Sequence, residues 1–578
     1  MSTNPRAVIL LTFLVLSALT VPPPPLARAG IVQTQPQRER RVASPVDTGT
    51  TASPTPTPVP TPRPNPIATP DEGPVPEASR TPTPEVTQAR RVATTRSLAE
   101  LQARISEVLA KPALAPAIVG IKVSSLDTGK ILFEENAAKL LRPASNMKLY
   151  TVATALDRLS PDYRFVTSVY APARPDAAGT VHGDLTIYGR GDPSIAARFN
   201  NGNYFKGIDD LAARIVAAGV KRIEGDLVGD ETYFAGPPYG AGWDWDDLQW
   251  WYGAEVSALT SNDNALDLSV KPAAKVGAPG VITTGPPDPL LTIFNRVTTA
   301  EKGTRRDLTV YRGLGGDEVW ISGSIALDDR GYSAGLGISR PALLFSYLLR
   351  SSLAQHGVTI TGKTRTVAPS VSANTRNPEP AGPAPIELTS LQSPPLSLIA
   401  AQTLKPSQNL YTELILRTLG KVALPPGSAV NTDRTSDAAG IEVVKTFLRE
   451  AGVSPPTLVL TDGSGLSRND MVTAEATLQL LTYMHRHRYA SVFRDALPIA
   501  GVDGTLRNRF KGTLAENNLR AKTGSLSSAA SLSGYVITAA GENLVFSIMV
   551  NNFPEDVEPR AICIDPIAVL LASFAGKS

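Results

Sequence analysis

One serine of this 578-residue chain begins a Ser-x-x-Lys tetrad, Ser145-Asn146-Met147-Lys148, and one Lys-Thr/Ser-Gly triad occurs, Lys522-Thr523-Gly524. Leu149, Val152, Ala153, Leu156 and Leu159 follow the tetrad at helical spacing. Ser145 and Lys148 therefore sit on one face at the start of a helix, where backbone N–H groups favour negative charge. The triad runs into two apolar segments, SLSGYVITA (531–539) and LVFSIMVNN (544–552), which read as a hairpin turning at Gly541. A nucleophile on a helix facing a sheet edge is a workable active site. A Ser-x-Asn element would complete the set, and four are present, at Ser2, Ser372, Ser407 and Ser467. Ser407-Gln408-Asn409 is favoured because NLYTELILRTLG begins a helix there; Ser467-Arg468-Asn469 is the reserve.

Other elements must hold these residues in place. Ser97-Leu98-Ala99-Glu100 matches a capping box and opens an amphipathic helix through Leu98, Leu101, Ile105 and Leu109. AIVGIKVSSL (117–126), the turn Asp127-Thr128-Gly129-Lys130 and ILFE (131–134) read as a hairpin. AICIDPIAVLLASFAG (561–576) is apolar enough to cover a sheet. A helix beside antiparallel hairpins predicts an α/β or α+β domain.

Composition narrows the function classes. With 42% hydrophobic and 19% charged residues the chain can build a real core, and a net charge of +3 supplies no basic field for nucleic acid. Cys563 is the single cysteine, which excludes an intrachain disulfide or a cysteine-based zinc site. Of four histidines only His485 and His487 lie close together, in MHRHRY, which reads as a solvated helix face; no metal or cofactor is expected. Residues 1–29 have the parts of a secretory signal: Arg6, an apolar run from Ala7 to Val21, and Ala27-Arg28-Ala29 before Gly30. The expected location is outside the cytoplasm, in the periplasm or cell envelope, with room for loose membrane or cell-wall association. Residues 30–95 read as a disordered linker, with 12 prolines between positions 51 and 90.

The three motifs in this order resemble the penicillin-binding proteins and serine β-lactamases. A closer resemblance covers most of residues 96–578, to the D-alanyl-D-alanine carboxypeptidase/endopeptidase family of the penicillin-binding protein 4 type, peptidase family S13. It rests on the motifs and on GDLTIYGRGDPS (183–194), GWDWDDLQWWYGAEVSALTSNDN (242–264), TDGSGLSRND (461–470) and GVDGTLRNRF (501–510). The 259 positions from Lys148 to Ser407 fit that family's habit of inserting domains between its first two motifs.

The resemblance implies a β-lactamase/DD-peptidase-like helix–sheet–helix catalytic domain built from residues 96–170 and 390–578. Residues 171–389 would form a mainly β insertion of accessory subdomains. It implies an enzyme that hydrolyses D-Ala-D-Ala or cross-link peptide bonds of peptidoglycan through an acyl-enzyme, with β-lactams as covalent inhibitors. The alternatives are a β-lactamase or esterase of the same superfamily, or a catalytically silent cell-wall-binding protein. In the implied roles Ser145 is the nucleophile. Lys148 is its base, competent when neutral. Ser407 relays a proton to the leaving amine, while Asn409 holds the substrate and Lys148. Lys522 and Thr523, followed by Gly524, hold the terminal carboxylate, and the N–H groups of Ser145 and Ser525 form the oxyanion hole.

Several other patterns read as structural. DGSGLS reads as a tight glycine turn near the site, and Trp243, Trp245, Trp250, Trp251 and Tyr252 as core and domain-junction packing, with a sugar-stacking surface as the alternative. Gly357–Thr364 matches a P-loop pattern, but its VTIT is a strand and no helix follows. Gly331–Gly335 matches a nucleophile elbow without the buried strand before it or the helix after it.

Overall fold

The computed structural model describes residues 94–286, 288–368, 384–424, 434–453 and 458–578. The signal and nearly all of the linker read from the sequence lie outside these residues.

The two ends of the described chain share one antiparallel sheet. Its strands run in the order Arg520–Leu526, Ala529–Ile537, Asn543–Asn551, Ile118–Ser125, Ile131–Glu135. Alternation along Asn543–Asn551 explains why the sheet is covered on both faces. Leu544, Phe546, Ile548 and Val550 join one core with Leu101, Ile105, Ile567 and Leu571, from the terminal helices Leu98–Leu109 and Asp565–Ala572. Val545 and Met549 join the other core, with Leu149, Leu156, Leu480 and Leu481 from the helices Met147–Leu159 and Ala474–Arg486. The helix–sheet–helix arrangement expected from the sequence is present. Cys563 is buried, and burial pushes its thiol up to about 12, so it stays protonated and inert.

The chain leaves this body through the strand Val166–Ala171 and returns through Ile386–Gln392, which pair antiparallel. Adjacent entry and exit strands let a long segment be inserted without disturbing the first sheet. Both strands belong to a second five-stranded sheet, with Leu185–Tyr188, Leu227–Asp230 and Thr364–Val367. The helices Lys206–Ala217 and Pro341–Gln355 pack with it around Ile187, Leu211, Ile215, Phe345 and Leu349. Two three-stranded sheets, within 265–285 with 332–337 and within 292–326, share a further core around Leu268, Val297, Ile321 and Leu336. In the inserted segment strand residues outnumber helical ones, and the helices Lys206–Ala217 and Pro341–Gln355 are its two α-helices among the described residues. Neither rejected motif has the structure its pattern requires: the P-loop-like stretch holds the short strand Thr359–Ile360 and runs into the strand Thr364–Val367 with no helix after it, and the elbow-like one lies in the strand Tyr332–Gly337.

One expectation is corrected. His487 is not on a solvated face: its side chain is 6% exposed. Nε2 lies 3.0 Å from Asp157 Oδ1, and Nδ1 accepts the Tyr489 N–H at 3.2 Å. The residue closes the C-terminus of its helix and turns inward, while His485 stays exposed. Among the described residues no helix is long and apolar enough to cross a membrane.

Candidate active site

Ser145 lies in a single 3-10 turn, Ala144–Asn146, that leads directly into the helix Met147–Leu159. The residue before it, Ala144, has φ 47°, a left-handed conformation that a non-glycine residue adopts at a cost. Two side-chain hydrogen bonds anchor the turn. Ser531 Oγ donates to the Pro143 carbonyl at 2.7 Å. Asn146 Nδ2 donates to Ser533 Oγ at 2.7 Å, and that hydroxyl bonds Ser547 Oγ at 2.9 Å. The strand Arg520–Leu526 passes against the turn at Gly524. A Cβ there would lie 2.2 Å from Ser531 Oγ, 2.6 Å from the Pro143 oxygen and 3.0 Å from the Ser145 nitrogen. Glycine is therefore required to bring the Lys-Thr-Gly strand alongside the nucleophile.

Lys148, one turn on, is fully buried. Its Nζ lies 2.9 Å from Ser145 Oγ, 2.6 Å from Asn409 Oδ1 and 2.7 Å from the Ser464 carbonyl oxygen. The two carbonyl oxygens only accept. A neutral amine meeting them spends both of its N–H groups, which leaves its lone pair for the Ser145 hydroxyl proton. This arrangement suits a base beside a nucleophile.

Ser407 sits between the helices Leu396–Leu404 and Asn409–Val422, with φ 62°. Lys522, also fully buried, donates to Ser407 Oγ at 2.9 Å and to the Thr523 carbonyl at 2.8 Å. Thr523 Oγ1 donates to Thr505 Oγ1 at 2.8 Å. Ser525 follows Gly524 in the same strand, opposite Ala530. The structure therefore gathers Ser145, Lys148, Ser407, Asn409, Lys522, Thr523, Gly524 and Ser525 around one sheet edge. Ser467 belongs to the DGSGLS turn, where its N–H is one of several that bond Asp462.

Sequence reasoning placed DGSGLS near the site but did not foresee its contact with the lysine. The Asp462 carboxylate accepts the N–H groups of Gly465, Leu466 and Ser467, the Ser464 hydroxyl and the Trp243 indole. The folded turn aims the Ser464 carbonyl at Lys148. Gly465, at φ 77°, passes so close to the nucleophile turn that a Cβ would lie 1.8 Å from the Ala144 oxygen. Of the five aromatics, Trp243 thus braces the site, Trp251 packs on Gly335, and Trp245 is 67% exposed, contrary to a purely buried cluster. The Tyr252 carbonyl, which accepts Asn409 Nδ2 at 2.8 Å, carries no sequence signal because any residue supplies it.

Behind the turn, the buried Glu413 accepts the Gly463 N–H at 2.9 Å. Burial first, and the adjacent Asp462 charge second, push its carboxyl up to about 8. Between pH 4.5 and about 8 the folded protein keeps a proton here that the unfolded chain has lost, so this group's contribution to stability falls as pH rises through that window. Glu413→Gln keeps an oxygen for Gly463 and cannot ionise. Its melting temperature relative to wild type is expected to climb between pH 5 and pH 8. Parallel melting of the two proteins at both pH values would show that Glu413 does not titrate in this range.

Comparison with known proteins bears on residues 101–574 as one unit. The sequence model of the "D-Ala-D-Ala carboxypeptidase 3 (S13) family" matches residues 101–574. A D-alanyl-D-alanine carboxypeptidase of Actinomadura sp. (strain R39) is 35% identical over 495 residues, covering 84% of this chain and 86% of that protein. The D-alanyl-D-alanine carboxypeptidase DacB of Haemophilus influenzae is 24% identical over 451 residues, 75% of this chain and 85% of that one. The crystal structure of penicillin binding protein 4 from Haemophilus influenzae superposes with a TM-score of 0.69 at 22% identity, over 82% of this chain and 99% of that chain, and so shares the fold. Matched from Leu101 to Phe574 and across both halves of its split catalytic body, the chain belongs to the D-Ala-D-Ala carboxypeptidase 3 (S13) family of peptidases.

Proposed function

We propose that the protein is a serine-type D-Ala-D-Ala peptidase acting on peptidoglycan stem peptides through an acyl-enzyme at Ser145. The observation that carries this reading is the buried Lys148 amine, held by two carbonyl oxygens with Ser145 Oγ 2.9 Å away. Ser145 Oγ attacks the carbonyl carbon before the last D-alanine as Lys148 Nζ takes its proton. The N–H groups of Ser145 and Ser525 hold the oxyanion. Ser407, bonded to Lys522, relays the proton taken by Lys148 to the departing amine, which leaves Ser407 a hydroxyl and Lys148 neutral again. Lys522 and Thr523 hold the terminal carboxylate of the substrate, since charge-assisted hydrogen bonds are the strong ones. Water then hydrolyses the Ser145 ester. A β-lactam ring would be opened by the same attack and leave a covalent adduct.

The catalytic body comprises residues 96–170 and 390–578 in this reading, with 171–389 inserted. The signal at 1–29 would export the protein to the periplasm or cell envelope, and the proline-rich stretch at 30–95 would act as a tether. Intact-mass measurement after incubation with penicillin is expected to show one adduct, which maps to the peptide carrying Ser145. Purified muropeptides then separate release of terminal D-alanine from cleavage of cross-links. A protein that takes up no penicillin and releases no D-alanine would overturn the proposal.

A further inference from the structure

The polarity of the Asn409 amide is not decided within the catalytic body. Its Nδ2 meets the Tyr252 carbonyl of the inserted segment, and because that oxygen only accepts, Oδ1 is left for Lys148. Two residues along the same first helical turn, Tyr411 is fully buried and its hydroxyl donates to Asp263 Oδ1. The other Asp263 oxygen, Oδ2, pairs with Arg198 Nη2 at 2.8 Å, and both side chains are almost wholly buried. The Phe199 ring lies against Tyr411 with centroids 5.9 Å apart. Arg198, Phe199, Tyr252 and Asp263 all come from the inserted segment.

Asp263 occupies an unusual backbone. Asn262, Asp263 and Asn264 have φ values of 48°, 61° and 47°, three left-handed residues in succession, and all three are buried. Asn and Asp tolerate this conformation best, and it persists where the surroundings over-determine it. Here Asn262 accepts the Ala197 N–H and donates to the Tyr204 carbonyl, while Asn264 donates to the Glu255 carbonyl. The Ser261-Asn262-Asp263-Asn264 stretch is thus a rigid mount whose central carboxylate points at the helix that begins with Asn409. Burial and the neighbouring carboxylate hold the Tyr411 phenol well above its usual range, so it remains a donor.

We propose that Tyr411, Asp263 and Arg198 form a positioning clamp through which the inserted segment fixes Asn409 against Lys148, making the insertion a working part of acylation. The proposal rests on the reading of Asn409 and Lys148 given above. The test is a double-mutant cycle with Tyr411→Phe and Asn409→Ala, read as the penicillin acylation rate and as kcat and KM on a D-Ala-D-Ala peptide. Tyr411→Phe removes one hydroxyl and keeps the ring in place, whereas Asp263→Asn leaves Arg198 buried without its counter-charge and risks unfolding. Losing a hydrogen bond to a charged group predicts a drop of about 10-fold in acylation and kcat, with KM unchanged. In the Asn409→Ala background the same substitution is expected to cause no further loss of rate, although it still lowers the melting temperature. Wild-type rates in Tyr411→Phe beside a slowed Asn409→Ala overturn the clamp and leave the reading of Asn409 intact. Equal losses in both backgrounds also overturn it, because Tyr411 would then act by another route. Wild-type rates in Asn409→Ala overturn the reading of Asn409, and the clamp with it.

Discussion

Replacing Ser145 by alanine is expected to abolish penicillin labelling and to reduce peptide hydrolysis by on the order of 10⁴-fold or more, the scale seen when the nucleophile of an acyl-transfer enzyme is removed. The substitution deletes one hydroxyl from a turn whose anchors lie elsewhere, on Pro143 and Asn146. Lys148 keeps its bonds to Asn409 Oδ1 and the Ser464 carbonyl, so no buried donor set is abandoned. The melting temperature should therefore remain close to that of wild type, which separates loss of chemistry from loss of fold. Stoichiometric labelling of the variant would sink the assignment and make Ser464 and Ser333 the next residues to test. The structure disfavours both: the Ser464 hydroxyl is already given to Asp462, and Ser333 lies in a strand of the inserted segment.

Lys522→Ala should have the next largest effect. The ammonium group lies buried between Ser407 Oγ and the Thr523 carbonyl, at the edge along which a peptide would lie. If it grips the terminal carboxylate, the variant loses a charge-assisted hydrogen bond worth roughly 1.5–3 kcal/mol. At ~1.4 kcal/mol per decade this is about 10- to 150-fold in the acylation rate by a peptide. Ser407 also loses its partner, so proton delivery to the leaving amine should suffer as well. The diagnostic measurement compares peptides ending in a free acid with their amides. Wild type should prefer the acid strongly, and Lys522→Ala should lose most of that preference. A variant that still discriminates as well as wild type would show that another cation holds the carboxylate. Arg520 is the nearest cation along the strand, but its guanidinium reaches towards Asp495 at 3.3 Å.

The gathering of the motif residues was legible because it depends on short spacings that local structure preserves. Ser145 and Lys148 are three apart on a helix, and that spacing alone puts them on one face. Lys522, Thr523 and Gly524 are consecutive in one strand, so local structure alone carries all three to the same stretch of the sheet edge. Asn409 was legible through the helix that starts at it. His487 was misread because periodicity cannot show that Asp157, distant in sequence, waits to receive an imidazole.

The resemblance to the family marked the 259 positions between Lys148 and Ser407 as an insertion; the sequence by itself determined the motif residues and the strands and helices that carry them. These follow from apolar periodicity, turn residues and spacing, all of which act over a few positions. Only the tertiary structure decided that the Ser464 carbonyl and the Asn409 amide meet at Lys148, that the Tyr252 carbonyl orients that amide, and that Asp263 in a left-handed turn anchors Tyr411. Two of these contacts use backbone carbonyls, which every residue possesses and no sequence pattern marks. All join segments more than a hundred residues apart, so they exist only once the sheets and helices have packed and placed them within hydrogen-bond reach.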